Sequence, residues 1–183
     1  MTVEMIIEKA KQIKEKYKTD DPFALAKELG AQVVFGNFGE NRKAIKGFYT
    51  VYKNVKGIMI NANLSAQGRR IICYHEIGHL VCTRDEPVSL FHDYNAFENS
   101  TAENDANLFA AEIMIEDKDV LSRLNEDYTL YTMAMELCVP VELLIMKFKV
   151  LNHKGYDIKI PTDTPKSNFL KNLDMNYYES VWW

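Results

Sequence analysis

Apolar positions recur with helical spacing at both ends of the chain and with strand-like spacing between residues 31 and 61. Residues 3–18 carry an apolar side chain every three or four positions and charged side chains between them, which predicts an amphipathic helix. A second short helix is expected from Pro22, because proline is favoured in a first helical turn, and Gly30 can end it. The first 30 residues are therefore expected to form two helices.

Three short segments are rich in β-branched and aromatic residues, which is typical of strands: 32–35, 47–52 and 58–60. Short polar loops join them, and this favours a small antiparallel sheet. We expect residues 47–53 to pair with residues 57–61 as a hairpin whose turn lies at Lys56-Gly57.

The rest of the chain is expected to be helical, with segments at 65–82, 101–116, 117–125, 129–138 and 140–152. Residues 83–99 resemble a loop, and residues 161–183 form a polar C-terminal tail. These elements predict an α+β fold, in which a small antiparallel sheet packs on a central helix between N-terminal helices and a C-terminal helical part. We expect residues 1–160 to be one domain, with a catalytic core at 33–116 and a helical part at 117–152.

The amino-acid composition is typical of a globular protein and argues against a nucleic-acid-binding or membrane-spanning one. Hydrophobic residues make up 47% and charged residues 26% of 183, which is typical of a globular chain and not of a disordered one. A net charge of -4 makes general nucleic-acid binding unlikely, because phosphate binding needs a basic surface. No apolar run is long enough for a membrane span. Three cysteines and the lack of a signal-peptide core indicate a cytoplasmic protein.

The candidate chemistry lies in His75-Glu76-Ile77-Gly78-His79, an H-E-x-x-H pattern on the helix predicted at 65–82. Residues four apart lie on one helical face, so both imidazoles can bind one Zn²⁺. Glu76 is offset and reaches a metal-bound water, whose proton it can accept and later pass to a leaving amine. The pattern indicates peptide-bond hydrolysis, with Glu76 as the catalytic residue.

The alternative is that both histidines are surface residues or satisfied core residues. The residues around the motif argue against this, since Ile71-Ile72-Cys73-Tyr74 precedes it and Leu80-Val81-Cys82 follows it. Burying two histidines and a glutamate without a purpose is costly. We therefore favour the metal site, and expect Cys82 to pack in the core because it lies a full turn beyond His79.

A catalytic zinc site needs a third protein ligand and an open position. The downstream candidates are Glu98, Glu103, Asp105 and Glu112. Glu103 is favoured, because it begins the next helix and Asn107, one turn on, can hydrogen-bond a metal ligand. The alternative for Glu103 is a capping box, since Ser100-Thr101-Ala102-Glu103 matches S/T-x-x-E.

Two further features were weighed as functional sites and are not favoured. His92 or Tyr94, in the loop, could stabilise an oxyanion, although an ordinary exposed loop residue is the favoured interpretation. Residues 129–150 resemble a helix-turn-helix, but the second helix is too apolar to face DNA.

His75-Glu76-Ile77-Gly78-His79, together with residues 103–112, resembles the ImmA/IrrE family of zinc metallopeptidases. The family pattern is H-E-L-G-H followed by E-x-x-A-N-x-F-A, and Glu103 falls on the glutamate that is the third zinc ligand. The likeness covers about residues 33–152. Two positions depart from it: Thr83 stands where many members have histidine, and Ile113-Met114-Ile115-Glu116 stands where many have Leu-Leu-x-Pro.

The resemblance implies a gluzincin-type hydrolase that binds zinc through His75, His79 and Glu103. It also implies a phage-related antirepressor, which cleaves a helix-turn-helix transcriptional repressor at one site. The alternative is a non-enzymatic regulator of the same fold that binds and sequesters a repressor or antitoxin. A purely structural zinc site is disfavoured, because such sites use four Cys or His ligands.

Overall fold

The computed structural model describes residues 1–41, 43–82, 101–124 and 129–160. Within these residues the helices are α1 (Val3–Tyr17), α2 (Pro22–Glu28), α3 (Ala66–Cys82), α4 (Thr101–Met114), α5 (Asp117–Leu121), α6 (Leu130–Glu136) and α7 (Val141–His153). The strands are β1 (Ala31–Gly36), β2 (Gly47–Tyr52) and β3 (Val55–Asn61). The α+β class predicted from the sequence is confirmed.

The sheet is mixed, with the strand order β1-β3-β2. The hairpin is confirmed, since β2 pairs antiparallel with β3. The expectation of a fully antiparallel sheet is wrong, because β1 runs parallel to β3. β1 ends and β2 begins at the same end of the sheet, so these two strands run in opposite directions. With β3 inserted between them and antiparallel to β2, β1 must be parallel to β3.

The hairpin turn lies at Lys53-Asn54 and not at Lys56-Gly57. Lys53 and Asn54 have φ values of 47° and 64°, the left-handed conformation that two-residue hairpin turns require. Lys56 and Gly57 pair with β2 instead. Asn54 could have predicted the position of this turn from the sequence, because asparagine tolerates positive φ better than most residues.

Helix α3 is the centre of the molecule. It packs on β2 and β3 on one side and most extensively on α4 on the other, while α1 and α7 cover α4. Ile71, Ile72 and Ile77 are fully buried along it. Ser65 caps its N-terminus, as its Oγ accepts a hydrogen bond from the Gly68 amide at 3.1 Å. The motif of interest is therefore on a helix buried nearly all round.

An ion network that is buried at Lys147 joins α4, α5 and the C-terminal half of α7. Lys147 Nζ lies 2.6 Å from both Glu112 and Asp117, and its side chain is 1% exposed. Lys154 Nζ contacts the same two carboxylates at 2.6 and 2.7 Å. Glu112, one of the candidate third ligands, therefore pairs with Lys147 and Lys154 and not with His75 and His79.

The ion network gives stability a defined pH dependence. Burial alone would raise the pKa of Asp117, but the hydrogen bonds from Lys147 and Lys154 outweigh it and hold that pKa below its usual range. A carboxyl with a lowered folded-state pKa stabilises the fold above its unfolded pKa of about 3.9. That contribution is lost as the pH falls from there through the folded-state pKa.

We therefore expect Asp117→Asn to lower the free energy of unfolding by about 1–2 kcal/mol at pH 7, because hydrogen bonds to charged groups contribute up to about 3 kcal/mol and solvent screens part of this at a side chain that is 35% exposed. Urea unfolding at a series of pH values measures the effect. The gap between wild type and variant should shrink as the pH falls below about 4, because the Asp117 carboxyl is protonated first in the unfolded chain and, at lower pH, in the folded protein. A gap that stays constant down to pH 2 would contradict this account.

Candidate metal centre

The helical spacing of the motif brings His75 and His79 together. Their Nε2 atoms lie 3.0 Å apart, and the rings are nearly perpendicular, at 85°. His75 is fully buried and His79 is partly exposed, so the pair lies at the boundary between core and solvent. Within the described residues, the site is therefore closed at His75 and reaches solvent at His79.

Glu103 approaches this pair from α4. Its two carboxylate oxygens lie 3.1 Å from His79 Nε2 and 3.4 Å from His75 Nε2. The carboxylate thus faces the histidines. Ser100, its expected partner in a capping box, lies outside the described residues. One ligating atom from each residue lies within 4.8 Å of the others, and these three residues could hold a metal ion.

The donor set fits zinc. Zinc bonds of about 2.0–2.2 Å in tetrahedral geometry place neighbouring ligand atoms about 3.2–3.6 Å apart. Here the two Nε2 atoms lie 3.0 Å apart, Glu103 Oε1 lies 3.1 Å from His79 Nε2, and Glu103 Oε2 lies 3.4 Å from His75 Nε2, all close to this range. Two imidazole nitrogens and one carboxylate are also a donor set used by catalytic zinc sites that keep a fourth position for water.

The charges of the three residues are coupled. Burial would lower the pKa of His79, but the Glu103 hydrogen bond and the charges of Glu76 and Glu103 outweigh it and raise that pKa. Burial would raise the pKa of Glu103, but the two histidines hold it far below its usual range. Glu103 is therefore the anion that a cation site requires.

Glu76 is buried, and its pKa is raised above the usual carboxyl range, mainly because burial penalises its charge. The two histidines and a hydrogen bond from the Tyr49 backbone N–H partly offset this effect. A raised pKa makes the Glu76 carboxylate a stronger base, which favours its taking up a proton. The Tyr49 hydrogen bond also fixes the carboxylate against β2.

Two glycines, Gly47 and Gly78, allow β2 and α4 to pack closely on α3. Neither of them was identified as important from the sequence. A Cβ on Gly47 would lie 2.3 Å from Ile72 Cγ2 and 3.4 Å from Glu76 Oε1, so β2 approaches α3 closely only because this residue has no side chain. A Cβ on Gly78 would lie 2.8 Å from both the Cα and the carbonyl oxygen of Ala106. Gly78 lies between the two histidines of the motif, and Ala106 on α4 is also small. These two small residues could have predicted from the sequence that α3 and α4 pack closely at this point.

Gly78→Ala is expected to push α3 and α4 apart and move Glu103 away from the histidines. We expect a loss of about 1–3 kcal/mol in the free energy of unfolding, typical of overpacking, and weaker zinc binding. Thermal unfolding and competition with a zinc-responsive dye measure the two effects. Gly57→Ala is the control, since its Cβ would only meet Thr50 Cγ2 at 3.3 Å. Unchanged zinc affinity in Gly78→Ala would contradict the role given to this contact.

The cluster of possible ligands among the described residues does not include the remaining candidates. Asp105 forms an ion pair with the N-terminal ammonium of Met1 at 2.5 Å. Cys82 is buried, and burial together with the charge of Asp105 raises its pKa to about 12. Asn107 is buried on α4, and its Oδ1 makes no hydrogen bond with the described residues. Glu98, His92 and Tyr94 fall outside the described part of the chain.

Comparisons with known proteins show the family to which the chain belongs. The model of the M78 peptidase family, the IrrE N-terminal-like domain, matches residues 26–149. Immunity region protein 2 of Bacillus phage phi105 is 33% identical over 133 residues, which cover 73% of this chain and 82% of that protein. No solved structure matches the chain significantly. The described helices include none with the length and hydropathy of a membrane span. The family match spans α3 and α4 with all three clustered residues, and the chain belongs to the IrrE N-terminal-like family of M78 peptidases.

Proposed function

We propose that the protein is a zinc-dependent endopeptidase in which His75, His79 and Glu103 hold the metal and Glu76 is the general base and acid. The main observation behind the proposal is that ligating atoms of His75, His79 and Glu103 lie close together, next to the buried Glu76 in the sequence. A binding module needs no such glutamate, whereas hydrolysis needs a carboxylate that exchanges protons near the metal. The family match supports a peptidase.

When bound, zinc would polarise the scissile carbonyl and acidify a water molecule. Glu76 accepts the proton of that water and then donates it to the nitrogen of the leaving amine. The Tyr49 N–H keeps the Glu76 carboxylate aligned during both transfers. Asn107 supports the site from α4, where its buried side-chain oxygen can accept a hydrogen bond from a ligand residue.

The substrate is proposed to bind as an extended strand along the open edge of β2. Tyr49, on β2, directs its backbone N–H to Glu76, so this edge lies next to the reacting groups. No strand among the described residues pairs with that edge of β2. A strand added there would gain main-chain hydrogen bonds, and its alternate side chains would provide selectivity.

The proposed substrate is a helix-turn-helix transcriptional repressor. Two observations support it: the family to which the chain belongs, and the similarity to an immunity region protein of a phage. The cytoplasm is the proposed location, consistent with three free cysteines. Residues 1–160 are proposed to act as one domain, supported by a core that extends from Ile6 to Ile158.

The experiment is incubation of the purified protein with zinc and with purified helix-turn-helix repressors from the genome that encodes it, each tested as the candidate regulator. We expect one cleavage site, identified by intact-mass analysis, and no cleavage after treatment with a chelator. A regulator that stays intact while it binds in a stable complex would favour sequestration without cleavage and would contradict the proposal.

A further inference from the structure

Among the described residues, β1 is an edge strand of the sheet. On one side β1 pairs with β3, and no described residue pairs with the outer edge. Ala62 N–H donates to the Gly36 carbonyl at 2.8 Å, so the backbone groups of Gly36 point towards β3. Because successive residues of a parallel strand alternate in direction, Ala31, Val33 and Phe35 direct their N–H and C=O groups outward.

This edge lacks the features that normally prevent strand pairing. Residues 29–39 contain no Asp, Glu, Lys or Arg, although 26% of the chain is charged. Val34 and Phe35 are 44% and 48% exposed. Natural edge strands are usually protected by charged residues, proline or bulges, and a six-residue edge without them is a template for another strand. We infer that another strand covers this edge.

The edge is complementary to itself. In an antiparallel pair centred on Val33, the outward groups of Val33 meet those of the same residue in a second copy. Phe35 then lies opposite Ala31 of the second copy, so a large side chain faces a small one. Three outward residues per copy can form up to about six hydrogen bonds. Gln32 lies opposite Val34, and no charge faces another.

We propose that the protein forms a two-fold dimer by antiparallel pairing of β1 with β1 of a second copy. The two sheets become one sheet of six strands whose free edges are the β2 strands beside each Glu76. The substrate edge thus remains accessible. The proposal does not depend on the proposed peptidase activity, because it uses no residue of the metal centre.

The interface is small. A single pair of strands buries less than the roughly 1,200–2,000 Å² of stable complexes, so we expect a reversible dimer. Sedimentation velocity of the full chain, from about 5 to about 500 µM, should show monomer at the low end and dimer at the high end. The dimer should persist in Glu76→Gln, which separates this test from that of the peptidase.

Charge substitutions test the register. Gln32→Lys with Val34→Lys places like charges opposite each other twice, and we expect self-association about tenfold weaker. Gln32→Lys with Val34→Glu places opposite charges there, and the dimer should be retained. Both positions are exposed, so the fold should tolerate these changes. Met5→Lys is the matched control, because Met5 is an equally exposed apolar residue on α1.

Two kinds of result would overturn the proposal. One is a dimer that the double lysine variant does not weaken. The other is a monomer at every concentration. In that case, hydrogen exchange of the Ala31, Val33 and Phe35 amides identifies the alternative. Slow exchange in a monomer means that another part of the same chain covers the edge, and fast exchange means that the edge is uncovered.

Discussion

Replacing Glu76 with glutamine is expected to abolish most hydrolysis while zinc stays bound. Glutamine has nearly the same shape, but it cannot accept a proton from water or pass one to the leaving amine. General acid–base groups contribute about 10²–10⁴-fold to rate, and we expect a loss of that size in kcat. Zinc binding should persist, because the metal donors are provided by His75, His79 and Glu103.

The measurement is single-turnover cleavage of the regulator, with zinc content determined on the same samples. Glu28→Gln is the matched control, since Glu28 is an exposed glutamate at the end of α2 and should cleave like wild type. A Glu76→Gln variant with zinc bound and full activity would contradict the mechanism.

Replacing Glu103 with alanine is expected to remove the metal. Glu103 is the one carboxylate in the cluster, and its two oxygens approach both histidines. Loss of a partner that only supports a ligand weakens binding about 10–100-fold, so loss of a direct ligand should exceed about 100-fold. Hydrolysis should fall with it, because both the carbonyl and the water depend on the metal.

Zinc affinity measured by competition with a chelating dye tests this prediction. Asp105→Asn is the control on the same helix, because Asp105 pairs with the N-terminal ammonium instead of the histidines. It should bind zinc like wild type. Zinc retained at full affinity in Glu103→Ala would exclude Glu103 as a ligand and favour the capping-box interpretation.

The sequence predicted the parts of the site that depend on local periodicity. His75 and His79 lie one helical turn apart, and any helix brings such a pair together. Glu103 was the favoured third candidate, and the structure brings it to the histidines. Glu112 was an equally acidic alternative, and only the packing of α4 on α7 shows that it belongs to Lys147 and Lys154.

The sequence could not predict features that depend on the spatial order of elements. The direction of β1 follows from the insertion of β3 between β1 and β2, and no local pattern encodes that order. The contact between Glu76 and the Tyr49 backbone has the same origin, since it requires β2 to lie against α3. Gly47 has no motif of its own, and its importance appears only when a Cβ is placed against Ile72.

X-ray absorption at the zinc edge of the wild-type protein tests whether the cluster is a zinc site with an open coordination position. We expect one zinc per chain with two imidazole nitrogens at about 2.0–2.1 Å and oxygen ligands at about 2.0–2.2 Å, one of them from water. A protein that binds no zinc when the metal is supplied, or zinc with sulfur ligands at about 2.3 Å, would exclude such a site.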